Sequence, residues 1–64
     1  MQVKIINNQN QIIVQIESNE TRNVATNYAM DIARKSCNFF AVYVDGKLDC
    51  FTESSDKFEF PKTI

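Results

Sequence analysis

The side chains able to do chemistry are few, and their types limit what that chemistry could be. The 64-residue chain has no His, two Cys (Cys37 and Cys50) and a scatter of carboxylates. Without His the commonest general acid and base is missing, and a nucleophilic Cys lacks its usual activating partner. Cys37 falls near a helix C-terminus, where the dipole is negative and does not favour a thiolate. Cys50 falls in a strand among apolar neighbours and reads as an inert core thiol. Two Cys with no His cannot complete a zinc set within one chain. A single Gly excludes a glycine-rich phosphate loop. Asp49 and Glu53 can be read as paired carboxylates, but a solvated strand edge accounts for them more simply. The expectation is a protein with no catalytic residue, no cofactor and no metal: not an enzyme.

What remains is the chemistry of surfaces. The net charge of −1 provides no global attraction to nucleic acid or to an anionic membrane. The charges do segregate. Asp45, Asp49, Glu53 and Asp56 make the C-terminal part mildly acidic, while Arg22, Arg34 and Lys35 form a small basic spot on the helix. Each of these candidate patches also reads as an ordinary solvated face.

The elements that would position these groups follow from periodicity. At 44% hydrophobic and 23% charged, the chain is too apolar to be disordered, and its length allows one small core and one domain, residues 1–64. Residues 2–6 and 11–16 are β-branched runs around Asn7-Asn8-Gln9-Asn10, and Asn tolerates the left-handed backbone of tight turns. They predict a hairpin over 2–16. On its second strand Ile12, Val14 and Ile16 are expected to face the core, with Ile13, Gln15 and Glu17 facing mostly water. Residues 20–36 predict the helix, capped by Ser18 or Asn19. Val24, Tyr28 and Ile32 run at i, i+4 beside a parallel row of Ala25, Ala29 and Ala33, which together make one apolar stripe. Met30 falls on the opposite face.

Asp45-Gly46 is the strongest hairpin signal and predicts a second hairpin over 39–52. Lys57-Phe58-Glu59-Phe60 alternates again and is a candidate edge strand over 57–60, ended by Pro61. The fold class is therefore α+β: an antiparallel sheet of four or five strands with one helix packed on one face, in the order β-β-α-β-β.

A two-residue loop at Asp45-Gly46 implies that Val44 faces Lys47, Val42 faces Asp49 and Phe40 faces Phe51. In that register both sheet faces are apolar, and one helix can cover only one of them. The candidate interface is then Phe40, Val42, Asp49, Phe51, Phe58 and Phe60. It is hidden by the tail at 58–64 folding back, by a homodimer, or by a protein partner. The alternative is a single-stranded nucleic-acid binder that stacks bases on Phe40, Phe51 and Phe58, although the interleaved Asp49 and Glu53 would repel phosphate.

The layout is similar to that of small β-grasp domains such as the immunoglobulin-binding domains of bacterial surface proteins. The unit Ala29-Met30-Asp31-Ile32-Ala33-Arg34-Lys35 leading into Phe39-Phe40, followed by Asp45-Gly46-Lys47, resembles certain phage-encoded anti-CRISPR proteins. That resemblance implies a stand-alone, non-catalytic, stoichiometric inhibitor that occupies another protein's surface. The start of the chain shows no basic region followed by a long apolar stretch, so no signal peptide is expected. The longest apolar run, Phe39 to Val44, is six residues, far short of the ~20 that span a bilayer. No membrane association is expected, and the expected place of action is a cytoplasm (a host cytoplasm for a phage protein), with both thiols reduced.

Overall fold

A computed structural model describes residues 1–52 and 59–64. The element order is β1 (Gln2–Asn7), β2 (Ile12–Glu17), α1 (Arg22–Arg34), β3 (Phe40–Val44) and β4 (Lys47–Phe51), an α+β fold with a four-stranded antiparallel sheet and one helix packed against it. The strand order is β2-β1-β3-β4. Because β1 pairs antiparallel with both β2 and β3, those two run in the same direction on either side of it. Strands that run the same way need a crossover rather than a tight turn, and α1 supplies it.

Both hairpin turns are built by side chains suited to them. The Asn7 carboxamide oxygen accepts from the backbone N–H of Gln9 and of Gln11, each at 2.9 Å, and Asn10 takes the left-handed conformation. Asp45 and Gly46 both have positive φ, as a two-residue hairpin loop that matches strand twist requires. The Asp45 carboxylate also accepts from the Gln2 N–H at 2.8 Å, so the turn holds the start of β1. The helix begins later than expected. Its cap is Thr21, whose hydroxyl accepts from the Val24 N–H, while the Ser18 hydroxyl accepts from the Glu20 N–H just outside the helix.

Two bulges overturn the expected side-chain phases. In the first hairpin Ile5 pairs with Val14 but Ile6 pairs with Ile12, which leaves Ile13 as the extra residue. Val14 and Ile16 face the helix as expected, and Ile13 packs there too, whereas Ile12 is turned to the opposite face and is 54% exposed. In the second hairpin Val44 faces Lys47 as expected. Beyond it Tyr43 pairs with Leu48, Val42 with Cys50 and Ala41 with Phe51, with Asp49 as the extra residue. One inserted residue reverses the face of everything after it. Phe40 and Phe51 therefore lie on opposite faces, and Val42 faces Cys50 rather than Asp49.

The core sits between α1 and the sheet: Val3, Ile5, Val14, Phe40 and Val42 against Ala25, Ala29 and Ala33, with Met30 and Cys50 partly buried against it. Only the alanine row is central. With methyl side chains at the contact the helix backbone lies close to the sheet, and Phe40 and Ile5 fill the volume from below. A second cluster of Ile6, Ala41 and Tyr43 lies on the other face, with Leu48 and Phe60 packed on it. The terminal segment closes that face. The fully buried Tyr43 hydroxyl donates to the Pro61 carbonyl, and the Leu48 N–H donates to the Lys62 carbonyl at 2.8 Å. Thr63 forms a bridge with Lys47, and the Ile64 N–H donates to the Gly46 carbonyl at 2.9 Å. Of the candidate edge strand over 57–60, residues 57 and 58 lie outside the described residues, and 59 and 60 are not in a strand.

Candidate protein-interaction surface

The six residues expected to form one interface are dispersed. Phe40 and Val42 are 1% and 0% exposed beneath the helix, so neither presents a surface. Asp49 is on the helix side and forms an ion pair with Arg22, which makes it a partly buried group rather than a solvated edge. Phe51 and Phe60 do meet, on the face away from the helix, with ring centroids 6.1 Å apart and planes tilted by 47°. Phe58 lies outside the described residues. The bulge at Asp49 turns Phe51 to the other face, and the helix covers the face that Phe40 and Val42 share.

The charged patches are rearranged as well. Arg22 stands at the first turn of α1, whereas Arg34 and Lys35 stand at its last, roughly 18 Å away along a helix rising 1.5 Å per residue. They are not one basic spot. Arg22 is committed to Asp49, and Arg34 reaches Asp31 at 3.5 Å in an exposed pair. Asp45 is engaged by the Gln2 N–H. Glu53 and Asp56 lie outside the described residues.

Both cysteines are free. The Cys37 thiol donates to the Phe39 carbonyl, and Cys50 packs at the margin of the core. Among the described residues no group of three or more His, Cys, Asp or Glu is placed to hold a metal ion. Among them, too, no helix is long and apolar enough to cross a membrane.

A different constellation comes together. The alanine row of α1 is buried, so the larger row beside it is turned outward: Val24, Tyr28 and Ile32 are 52%, 61% and 38% exposed. Val24 and Tyr28 form one wall of an open groove of ≈ 560 Å³ whose other wall is Ile16, Glu17 and Ser18 at the end of β2. Glu20 stands at its rim. The groove thus runs along the junction between the helix flank and an edge strand.

The edge itself has free backbone valence. Met1 and Ser18 exchange two hydrogen bonds, at 2.8 and 2.9 Å. Hydrogen-bonded pairs alternate in an antiparallel ladder, so Val3–Ile16 and Ile5–Val14 are the next such pairs. Gln15 and Glu17 therefore direct their N–H and C=O groups away from β1, and among the described residues no other strand lies on that side. At the opposite edge β4 is paired by Lys62, Thr63 and Ile64. Among the described residues, one edge of the sheet is closed and the other is left open. β2 carries no Pro and no Lys, the residues that usually protect such edges.

Sequence reasoning missed Val24, Tyr28, Ile32 and the outward amides of Gln15 and Glu17. The signal for the first set was present: two apolar rows on one helix, of which the small one packs more closely. Set against protein-family models, curated proteins and solved structures, the chain matches none of them.

Proposed function

We propose that this chain is a non-catalytic protein-interaction module, a small inhibitor of the kind some phages encode, which works by occupying a protein surface in a host cytoplasm. The observation that carries the reading is the open β2 edge beside the exposed Val24, Tyr28 and Ile32 row. A strand added to β2 gains main-chain hydrogen bonds at Gln15 and Glu17, and its side chains meet the apolar helix flank. This couples a directional contact to apolar burial, the two contributions that give strand addition its affinity and its selectivity.

The reading assigns no role to base stacking. Of the three rings that would stack bases, Phe40 is buried, Phe51 meets the Phe60 ring, and Phe58 lies outside the described residues. Catalysis has no assigned residue in this reading.

The test is capture by the immobilised chain from host extract, compared between wild type and Tyr28→Asp. Tyr28 is mostly exposed, so the substitution should leave folding stability within about 0.5 kcal/mol. Capture by wild type that is lost in Tyr28→Asp, with an unchanged circular dichroism spectrum, is the expected result. Equal capture by both baits refutes the assignment of this surface.

A further inference from the structure

We infer that the occupant of the β2 edge is a second copy of the same chain, joined across a two-fold axis to make one eight-stranded sheet. The inference rests on the use of this edge proposed above: the second copy holds the edge when the chain is concentrated, and a host strand competes with it for the same outward amides.

Three observations carry it. The first is register. Centred on Gln15, an antiparallel β2–β2 pair keeps its three central pairs, at residues 14 to 16, within the regular run beyond the bulge, residues 14–17. Gln15 then faces Gln15 of the second copy and exchanges both outward hydrogen bonds with it. Val14 faces Ile16 on the helix side, an apolar cross-strand pair made twice. Centring on Glu17 instead would set two carboxylates directly opposite each other, which destabilises a pair. Centring on Ile13 would fall on the bulge, where the ladder is disrupted.

The second is charge. α1 starts just after the end of β2 and finishes just before Phe40, which pairs with Asn7 beside the start of β2. The helix therefore runs back antiparallel to β2. A two-fold axis through Gln15 places the Glu17 and Glu20 end of one helix beside the Arg34 and Lys35 end of the other. All four side chains lie on exposed residues, and among the described residues the ion pair of Arg34 is the weak contact to Asp31. Each acidic end meets a basic end, and like ends are kept apart.

The third is spacing. α1 lies over β1, flanked by its contacts to β2 and β3. With strands about 4.8 Å apart, the two helices of such a pair would stand roughly 14 Å from each other. Helices in direct contact pack at about 8–10 Å, so a gap remains between these two. Val24, Tyr28 and Ile32 project into that gap from each side, and facing rows of this size fill it.

Sedimentation across micromolar to millimolar concentration tests the proposal, with wild type, Gln15→Pro and Tyr28→Asp. Pro at position 15 removes an N–H that points away from β1, so it leaves the internal ladder its own bonds while it blocks edge pairing. The expected result is a wild-type species of twice the 7.4 kDa chain mass, with both variants folded and at least tenfold weaker in self-association. A wild type that stays at the chain mass throughout overturns the proposal. So does a Tyr28→Asp variant that dimerises as strongly as wild type, whatever Gln15→Pro does to folding. A monomeric wild type that still captures a partner through Tyr28 leaves the interaction module standing without the dimer. A monomer that captures nothing removes both.

Discussion

Tyr43 shows how one side chain ties the terminal segment to the sheet. Its ring is fully buried in the second cluster, and its hydroxyl donates to the Pro61 carbonyl. Burial raises the phenol above its ordinary value of about 10. The folded chain thus holds this proton more tightly than the unfolded chain does. The associated stability is complete below the unfolded value and is lost as pH rises through the folded one. Tyr43→Phe should lower stability by about 1 kcal/mol, a melting shift of roughly 4–8 °C for a domain of this size, and should flatten the alkaline loss. Thermal melts of both proteins between neutral and strongly alkaline pH measure the two effects together. A variant that melts like wild type at neutral pH would show that the bond to Pro61 contributes nothing.

At the scale of the element, α1 carries two apolar rows with opposite fates. Ala25, Ala29 and Ala33 are buried at the sheet contact, whereas Val24, Tyr28 and Ile32 stand outside it. Ala29→Leu should destabilise by about 1–3 kcal/mol, because added methylenes at a closed contact must displace the sheet or the helix. Urea unfolding checks it, and a loss below about 0.5 kcal/mol would mean that the row is not the packing surface.

The sequence made the helix legible because its period is sustained, and Asp45-Gly46 marked the second turn because both residues suit positive φ. The bulges were not legible. Ile12-Ile13-Val14 is apolar at three successive positions, so alternation gives no phase there. Leu48-Asp49-Cys50-Phe51 fits a regular strand and a bulged one equally well. Each unseen insertion then reversed the face of the residues beyond it, which moved Phe51 away from Phe40 and Val42, and these two were expected at a surface because alternation does not say which sheet face the helix covers. The open edge was hidden for a different reason: which strands stand at the centre depends on β1 pairing with β3, a contact between distant parts of the chain.

For the whole molecule, the fold treats its two sheet edges unequally. Lys62 to Ile64 close β4, while β2 keeps outward amides at Gln15 and Glu17 beside an apolar helix flank. A small chain has little surface to spare for such exposure, and edges left open in this way pair with other strands. The most direct test is amide hydrogen exchange at single-residue resolution, followed as protein concentration rises. In dilute solution Val14 and Ile16 should be protected while Gln15 and Glu17 exchange freely. As the chains associate, protection should appear at Gln15 and Glu17 and nowhere else along β2. Free exchange at both positions under every concentration and in every complex would contradict the account.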